Sequence, residues 1–159
     1  DGLGAGARGD ARVINELRSG ERLPQITATP FRGSGSVFDP EDEAVPGDNG
    51  KPARLNKDFF ANAKAQSWWH LRKLFRNTYR ALQGMEYDPD EIISISSKIE
   101  NKDRLLMELS QPTWSKNAVG KILVDKQPEG TKSPNLADSV MINYAPMNTA
   151  MDIWAKLGA

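Results

Sequence analysis

The sequence predicts an α/β fold, because segments with helical periodicity alternate with short extended segments that Gly and Pro residues bound. The longest helical pattern covers residues 57–82, and two extended runs follow at 113–115 and 121–125. A further helix is predicted directly after Ser133. Helices and strands of this length, in this order, favour a sheet that is flanked by helices.

Composition limits the classes of function that the chain can have. Its 159 residues are enough for one domain, here predicted as 1–159, with a sizeable core. Basic and acidic residues number 21 each, so net charge gives no sign of a polyanionic partner. The absence of cysteine excludes disulfides and thiolate metal sites, and the single histidine, His70, argues against a His-rich centre. No apolar run approaches the ~18 residues of a membrane span, and no membrane partner is expected.

The first nine residues are dense in glycine and lead into a short helical pattern that ends at Gly20. Gly4, Gly6 and Gly9 match the dinucleotide fingerprint G-x-G-x-x-G, but the sequence shows no strand before them. Three interpretations stay open: a nucleotide-binding loop, a structural turn, or an acidic motif in which Asp1 ends a strand. Since no initiator Met is present, the sequence is interpreted as a fragment of a longer protein.

Two segments without helical periodicity come next. Residues 23–29 are predicted to form a short strand with Ile26 directed inward. Residues 31–56 are predicted to be a mobile acidic loop or an insertion, with a metal-binding loop as the alternative. Between Gly33 and Gly50 this segment contains only acidic charges: Asp39, Glu41, Asp42, Glu43 and Asp48.

The long helix is predicted to begin at the N-cap Asn56 and to end before Gly84. Its apolar stripe consists of Phe60, Trp68, Leu71, Phe75, Tyr79 and Leu82. Its basic residues are Lys64, Arg72, Lys73, Arg76 and Arg80, with no acidic residue among them. The basic residues form either a solvated or internally paired face or a surface for the DNA backbone.

Residues 92–95 are predicted as a short apolar segment, and Asn101 as the cap of a helix that carries Glu108 on its polar side. The extended runs 113–115 and 121–125 are predicted to form a hairpin whose turn spans 117–120. A short tail helix is predicted over 150–157.

The helix after the hairpin has a favourable start, since Ser133 is a good N-cap and Pro134 fits the first helical position. One predicted face carries Leu136, Val140 and Tyr144, with Ala137 and Met141 beside them. On the flank of that apolar face lies Asp138. A carboxylate on a rigid helix suits a metal ligand, while an exposed helical Asp is the alternative.

The segment Ser-Pro-Asn-Leu-Ala-Asp, residues 133–138, resembles the last acidic motif of the nuclease domain in phage terminase large subunits. The opening Asp-Gly-Leu-Gly and the Trp-rich run 60–72 also resemble segments of that family, and all occur in the family's order. The resemblance implies an RNase H-like mixed sheet flanked by helices. It also implies an N-terminal truncation, because the family's first acidic motif has no counterpart in this sequence.

The resemblance further implies a DNA endonuclease that cuts concatemeric double-stranded DNA by two-metal phosphodiester hydrolysis, with Mg²⁺ or Mn²⁺ as cofactor. Asp1 and Asp138 would be catalytic metal ligands lying close in space, and Asn135 a further ligand. The residues expected to bind DNA are Lys64, Arg72, Lys73, Arg76, Arg80, Lys126 and Lys132. Two carboxylates do not hold two hard cations by themselves, so this chain alone is expected to bind metal weakly and to cut poorly.

Beyond DNA, the implied partners are the terminase small subunit and the portal. The implied location is the cytoplasm of an infected or lysogenic bacterial host. A non-catalytic piece of the packaging motor that docks on DNA or on the portal is the alternative.

Overall fold

The computed structural model of the chain describes residues 4–26, 30–48 and 50–147. The predictions for Asp1, for residues 27–29 and for the tail helix over 150–157 lie outside this part. The elements are, in order, α1 (Gly4–Gly20), β1 (Glu43–Val45), β2 (Arg54–Leu55), α2 (Asn56–Phe59), α3 (Ala63–Leu82), α4 (Lys102–Ser110), β3 (Thr113–Lys116), β4 (Ile122–Asp125) and α5 (Asn135–Asn143). No helix in the described ranges is long and apolar enough to cross a membrane.

The chain divides into two compact units between Ser34 and Gly35. In the first unit, Gly4, Gly6 and Gly9 lie inside α1, so they form neither a turn nor a phosphate-binding loop. The phosphate-binding loop is therefore wrong, and the turn is excluded for residues 4–9 only, because residues 1–3 lie outside the described part. Glycine is a weak helix former, but its penalty of about 1 kcal/mol per residue does not exclude it from a helix.

Residues 23–26 do not form the predicted strand. The Asn15 side chain takes the place of a neighbouring strand, since it donates to the Ile26 carbonyl at 2.8 Å and accepts the Ile26 N–H at 2.7 Å. Arg18 Nε likewise donates to the Pro24 carbonyl at 2.6 Å. Side chains of α1 thus satisfy backbone groups that a β-ladder would otherwise use.

The second unit begins within the acidic segment predicted as a loop or insertion over 31–56, since residues 31–34 belong to the first unit. It contains β1 and β2, which pair antiparallel with Glu43 opposite Leu55 and Val45 opposite Arg54. Its backbone is joined to α3 through Gln66, which accepts the Phe38 N–H at 2.7 Å and donates to the Phe38 carbonyl at 3.0 Å. The mobility of this segment stays a prediction.

The single long helix predicted over 57–82 is wrong, because the structure has two helices separated by residues 60–62. Phe60 bridges Ile122 of β4 in parallel, and the N–H of Ala61 donates to the Ile122 carbonyl at 2.9 Å. The backbone then turns into α3 at Asn62, whose side chain accepts the Ala65 N–H at 2.9 Å. A pairing with a strand some sixty residues away therefore interrupts the helical periodicity.

The buried face of α3 is restricted to its first half. Trp68, Leu71 and Leu74 are buried, whereas Tyr79 and Leu82 are 59% and 78% exposed. The predicted apolar stripe is correct only over this first half. With this half of α3, the core of the second unit includes Phe60, Ile93, Leu105, Ile122, Val124, Ala137 and Met141.

The hairpin that follows α4 has the predicted form, with Thr113 opposite Asp125 and Lys116 opposite Ile122. Alternate residues of β4 face the core, since Ile122 and Val124 are buried. Trp114, opposite Val124, packs edge-to-face on Trp69 of α3 with ring centroids 5.6 Å apart. The hairpin is thereby fixed against α3, and β4 leads the chain directly towards α5.

We expect the Asn62 cap to contribute measurably to stability. Replacing Asn62 by Ala removes the acceptor of the Ala65 N–H and should lower the free energy of unfolding by about 1 kcal/mol. Asn62→Ser keeps an acceptor and should recover most of that loss. Urea denaturation of the three proteins measures it, and equal stabilities of the Ala and Ser variants would contradict the capping role.

Candidate active site

Asp138 lies in the first turn of α5, with its side chain 19% exposed. Its Oδ2 pairs with Nζ of Lys126, the residue that follows β4. Its Oδ1 is buried and has no hydrogen-bond partner among the residues that the structure describes. One oxygen of this carboxylate is thus paired with a lysine, and the other is a buried acceptor whose partner is not among the described residues.

Glu108 of α4 caps the helix that carries Asp138. Its Oε2 accepts the N–H of Leu136 at 2.7 Å and the N–H of Ala137 at 3.2 Å. Its Oε1 accepts a hydrogen bond from the Nε–H of Arg104, one turn earlier in α4, at 2.8 Å. Glu108 is only 3% exposed, so the prediction that it lies on the polar side of its helix is wrong. The free N–H groups of the α5 terminus provide the partners that a buried carboxylate needs.

This cap also corrects the predicted start of α5. The helix begins at Asn135, and Pro134 occupies the N-cap position without a capping side chain. The hydroxyl of Ser133 instead donates to Oδ1 of Asn135 at 3.1 Å. Because Glu108 already accepts the N–H groups of Leu136 and Ala137, Ser133 does not have to cap the helix. The side-chain oxygen of Asn135 is held near the helix start, one turn before Asp138.

Gln111, at the end of α4, holds the loop between β4 and α5. Its Nε2 donates to the carbonyls of Lys126 and Lys132, both at 2.8 Å. Lys126 and Lys132, two of the four lysines predicted to bind DNA, are therefore attached to α4 through their backbones. The Lys126 ammonium is directed at Asp138, whereas the Lys132 side chain is exposed.

The basic residues of α3 differ in how strongly they are engaged. Lys73 pairs with Glu91 at 2.6 Å, and the Arg72 guanidinium lies 5.1 Å from the centroid of the Trp69 ring. The side chains of Lys64, Arg76 and Arg80 have no hydrogen bond or ion pair to another described residue. The internally paired interpretation therefore holds for Lys73 alone, and Arg76 and Arg80 keep their charges for solvent or an anion.

Two oxygen atoms near the start of α5 could hold a hard cation. The unpartnered Oδ1 of Asp138 and the amide oxygen of Asn135 are hard oxygen donors of the kind that Mg²⁺ and Mn²⁺ prefer. No group of three or more His, Cys, Asp or Glu side chains that could hold a metal occurs in the described ranges. Asp1 lies outside them, so its distance from Asp138 stays a prediction.

Sequence reasoning missed the role of Glu108, although one local signal was present. Arg104 and Glu108 are spaced i, i+4 on one helix, which favours an ion pair between them. What the sequence could not show is that this pair faces the start of α5, 28 residues further along the chain.

The chain is similar to solved structures of a viral nuclease domain. It is 36% identical, with a TM-score of 0.70, to the nuclease domain of the large terminase subunit gp2 of bacterial virus Sf6, covering 93% of this chain and 64% of that one. The identity, the TM-score and both coverages are the same for a lysine-to-alanine mutant of that domain with manganese and beta-thujaplicinol. The same mutant with calcium is also 36% identical, with a TM-score of 0.70, covering 89% of this chain and 60% of that one.

The chain thus spans less than two thirds of the length of these solved structures. No protein-family model matches it. No curated protein matches it either.

We expect the Glu108 cap to make stability depend on pH in the acid range. Burial raises the pKa of the Glu108 carboxyl, but the hydrogen bonds from Arg104, Ala137 and Leu136 and the Arg104 charge outweigh it, so the pKa lies below the ordinary 4.5. The stabilisation is therefore fully present above that ordinary value and is lost as the pH falls through the lowered pKa.

Glu108→Gln has no carboxyl to protonate at this position. Its free energy of unfolding should fall less than that of the unchanged protein between about pH 5 and pH 3. Chemical denaturation at several pH values measures this difference, and Glu16→Gln on the exposed surface of α1 is the matched control. Parallel pH profiles for Glu108→Gln and the unchanged protein would contradict the assignment.

Proposed function

Because the chain belongs to the family of nuclease domains of phage large terminase subunits, we propose that it is part of a divalent-metal-dependent endonuclease for viral DNA packaging. Its substrate in this proposal is concatemeric double-stranded DNA. The observation that carries the proposal is the Asp138 carboxylate, fixed at the start of a capped helix with one buried oxygen unpartnered. The similar nuclease domains contain manganese or calcium, which supports a divalent cation here.

Asp138 is the metal ligand for which the described residues provide the clearest support, with Asn135 as a neutral oxygen donor beside it and Asp1 as the second carboxylate. A pair of Mg²⁺ or Mn²⁺ ions, when bound, supplies an activated water and stabilises the leaving oxygen of the phosphodiester. Without a bound cation, the Lys126 ammonium balances the charge of Asp138. A phosphate that approaches Asp138 would meet this ammonium first, which is consistent with a DNA-binding role for Lys126.

The remaining basic residues bind the DNA backbone independently of base sequence in this proposal. Arg76 and Arg80 are one helical turn apart on α3 and have no partner among the described residues. Residues of this kind bind phosphates without reading bases. Lys64, Arg72, Lys73 and Lys132 complete the proposed surface, with Lys73 weakened by its pairing with Glu91.

The family assignment also supports a biological setting. We infer that the protein acts within a DNA-packaging motor, with the terminase small subunit and the portal as partners. Its proposed location is the cytoplasm of an infected or lysogenic bacterial host.

The role of Asp138 is tested by Asp138→Asn in the full-length protein. The change removes one negative ligand with almost no change in volume, so the fold and DNA binding should persist. Plasmid nicking with Mn²⁺ should fall by at least the roughly 10–100-fold that loss of an outer metal partner costs. Nicking at the unchanged rate would rule out Asp138 as a ligand.

The DNA surface is tested by the salt dependence of duplex binding. Each lost phosphate contact lowers the slope of log K against log salt by about 0.9, so Arg76→Ala with Arg80→Ala should lower it by about 2. Lys73→Ala is compared with each single arginine variant and should lower the slope by less than about 0.9, since its charge is already paired with Glu91. An unchanged slope in the double variant would show that these arginines are solvated and do not contact DNA phosphates.

The alternative is a non-catalytic piece that docks on DNA or on the portal. The unpartnered arginines of α3 favour it, because they would bind DNA whether or not Asp138 holds a metal. Duplex binding that depends on Arg76 and Arg80, together with no Mn²⁺-dependent nicking by the full-length protein, would decide for this alternative.

A further inference from the structure

A single buried carboxylate joins α4 to the start of α5. Glu108 accepts the N–H groups of Leu136 and Ala137, and the residue directly after Ala137 is Asp138. Ala137 is fully buried, so its backbone lies in the core and not at the surface. The position of the Asp138 backbone is therefore set by a contact from another helix.

Both oxygens of Glu108 are engaged, which fixes its orientation. Oε2 accepts the two N–H groups, and Oε1 accepts Nε of Arg104. The next N–H of α5, that of Asp138, donates to the Pro134 carbonyl at 2.7 Å. Three successive N–H groups of the first turn of α5 thus have partners: Glu108 accepts the first two, and the backbone of the turn accepts the third.

We propose that Glu108 is a positioning residue for Asp138, acting through the first turn of α5. The proposal rests on the assignment of Asp138 as a metal ligand. A hard cation binds well only when its carboxylate ligands are held within fractions of an ångström, so a shift of this turn weakens the site. Arg104 has a second role, since it keeps the Glu108 carboxylate turned towards α5.

Two other roles are possible for a buried glutamate at this place. It could stabilise the fold without affecting the metal, or it could leave α5 and bind the metal itself. The first role changes melting temperature alone. The second requires the negative charge of Glu108, whereas positioning requires only an oxygen that accepts the N–H groups of α5.

The variants that separate these roles are Glu108→Ala, Glu108→Gln and Arg104→Ala, made in the full-length protein. Gln keeps a neutral acceptor for the N–H groups and loses the charge. Arg104 is 56% exposed, so its removal should not prevent folding; it leaves the Glu108 carboxylate present and removes the contact that orients it. Glu16→Ala is the matched control, because Arg12–Glu16 is an exposed i, i+4 pair of the same residue types on α1.

The measurement is the affinity for Mn²⁺ alone, from the electron paramagnetic resonance signal of the free ion, at a temperature where every variant is folded. Glu108→Ala should bind Mn²⁺ about 10-fold more weakly, the low end for loss of an outer partner. Glu108→Gln should recover most of that affinity, and Arg104→Ala should lose a few-fold. Glu16→Ala should bind Mn²⁺ like the unchanged protein.

Three results would overturn the proposal. A folded Glu108→Ala with unchanged Mn²⁺ affinity and a lower melting temperature would leave a purely structural role. A Glu108→Gln as weak as Asp138→Asn would make Glu108 a ligand. If Glu108→Ala does not fold, Arg104→Ala decides, and an unchanged affinity there overturns the proposal.

The assignment of Asp138 as a metal ligand is tested independently of the role of Glu108. Asp138→Asn with unchanged Mn²⁺ affinity would remove Asp138 as a ligand, whatever the Glu108 variants do. Weakened binding in Asp138→Asn, with none in the Glu108 and Arg104 variants, would overturn the positioning role alone.

Discussion

The Glu108 carboxylate is the contact on which the arrangement around Asp138 depends. A helix start leaves N–H groups without partners, and in α5 those of Leu136 and Ala137 are satisfied by a side chain of α4. The same helix ends at Gln111, which holds the loop before α5 by two carbonyls. α4 therefore fixes both the loop that carries Lys126 and the helix that carries Asp138. The ion pair between these two residues forms because α4 brings their backbones together.

Features that depend on neighbouring residues were predicted well from the sequence. The hairpin differs from its prediction by one residue at each strand, because alternation and a turn at 117–120 are local signals. Gly84 follows the end of α3 with a positive φ of 67°, as a helix-terminating glycine does. The mixed RNase H-like class, which came from the resemblance, is confirmed by the similarity to the Sf6 nuclease domains.

Features that depend on distant residues were predicted wrongly. Helical periodicity continues through residues 60–62, but the pairing of Phe60 with Ile122 breaks the helix there. Ser133 and Pro134 form a good local helix start, yet Glu108 provides the cap from 28 residues away. Local preferences of this kind are worth about 1 kcal/mol, so one buried contact between elements overrides them. The sequence pointed to Asp138 as a candidate, but it did not indicate that Glu108 and Gln111 hold the surrounding backbone.

The proposed DNA surface and the proposed metal ligand lie on different elements, and β4 connects them. α3 carries the unpartnered Arg76 and Arg80, and the backbone at its entrance, next to Phe60, is bonded to β4 at Ile122. β4 ends at Asp125, and the ammonium of the next residue, Lys126, reaches Asp138. The first junction is a backbone pairing and the second is a partly exposed ion pair, so α3 and α5 are connected through β4. The proposed DNA-binding arginines and the proposed metal ligand therefore belong to one compact unit, in which β4 joins the helices that carry them.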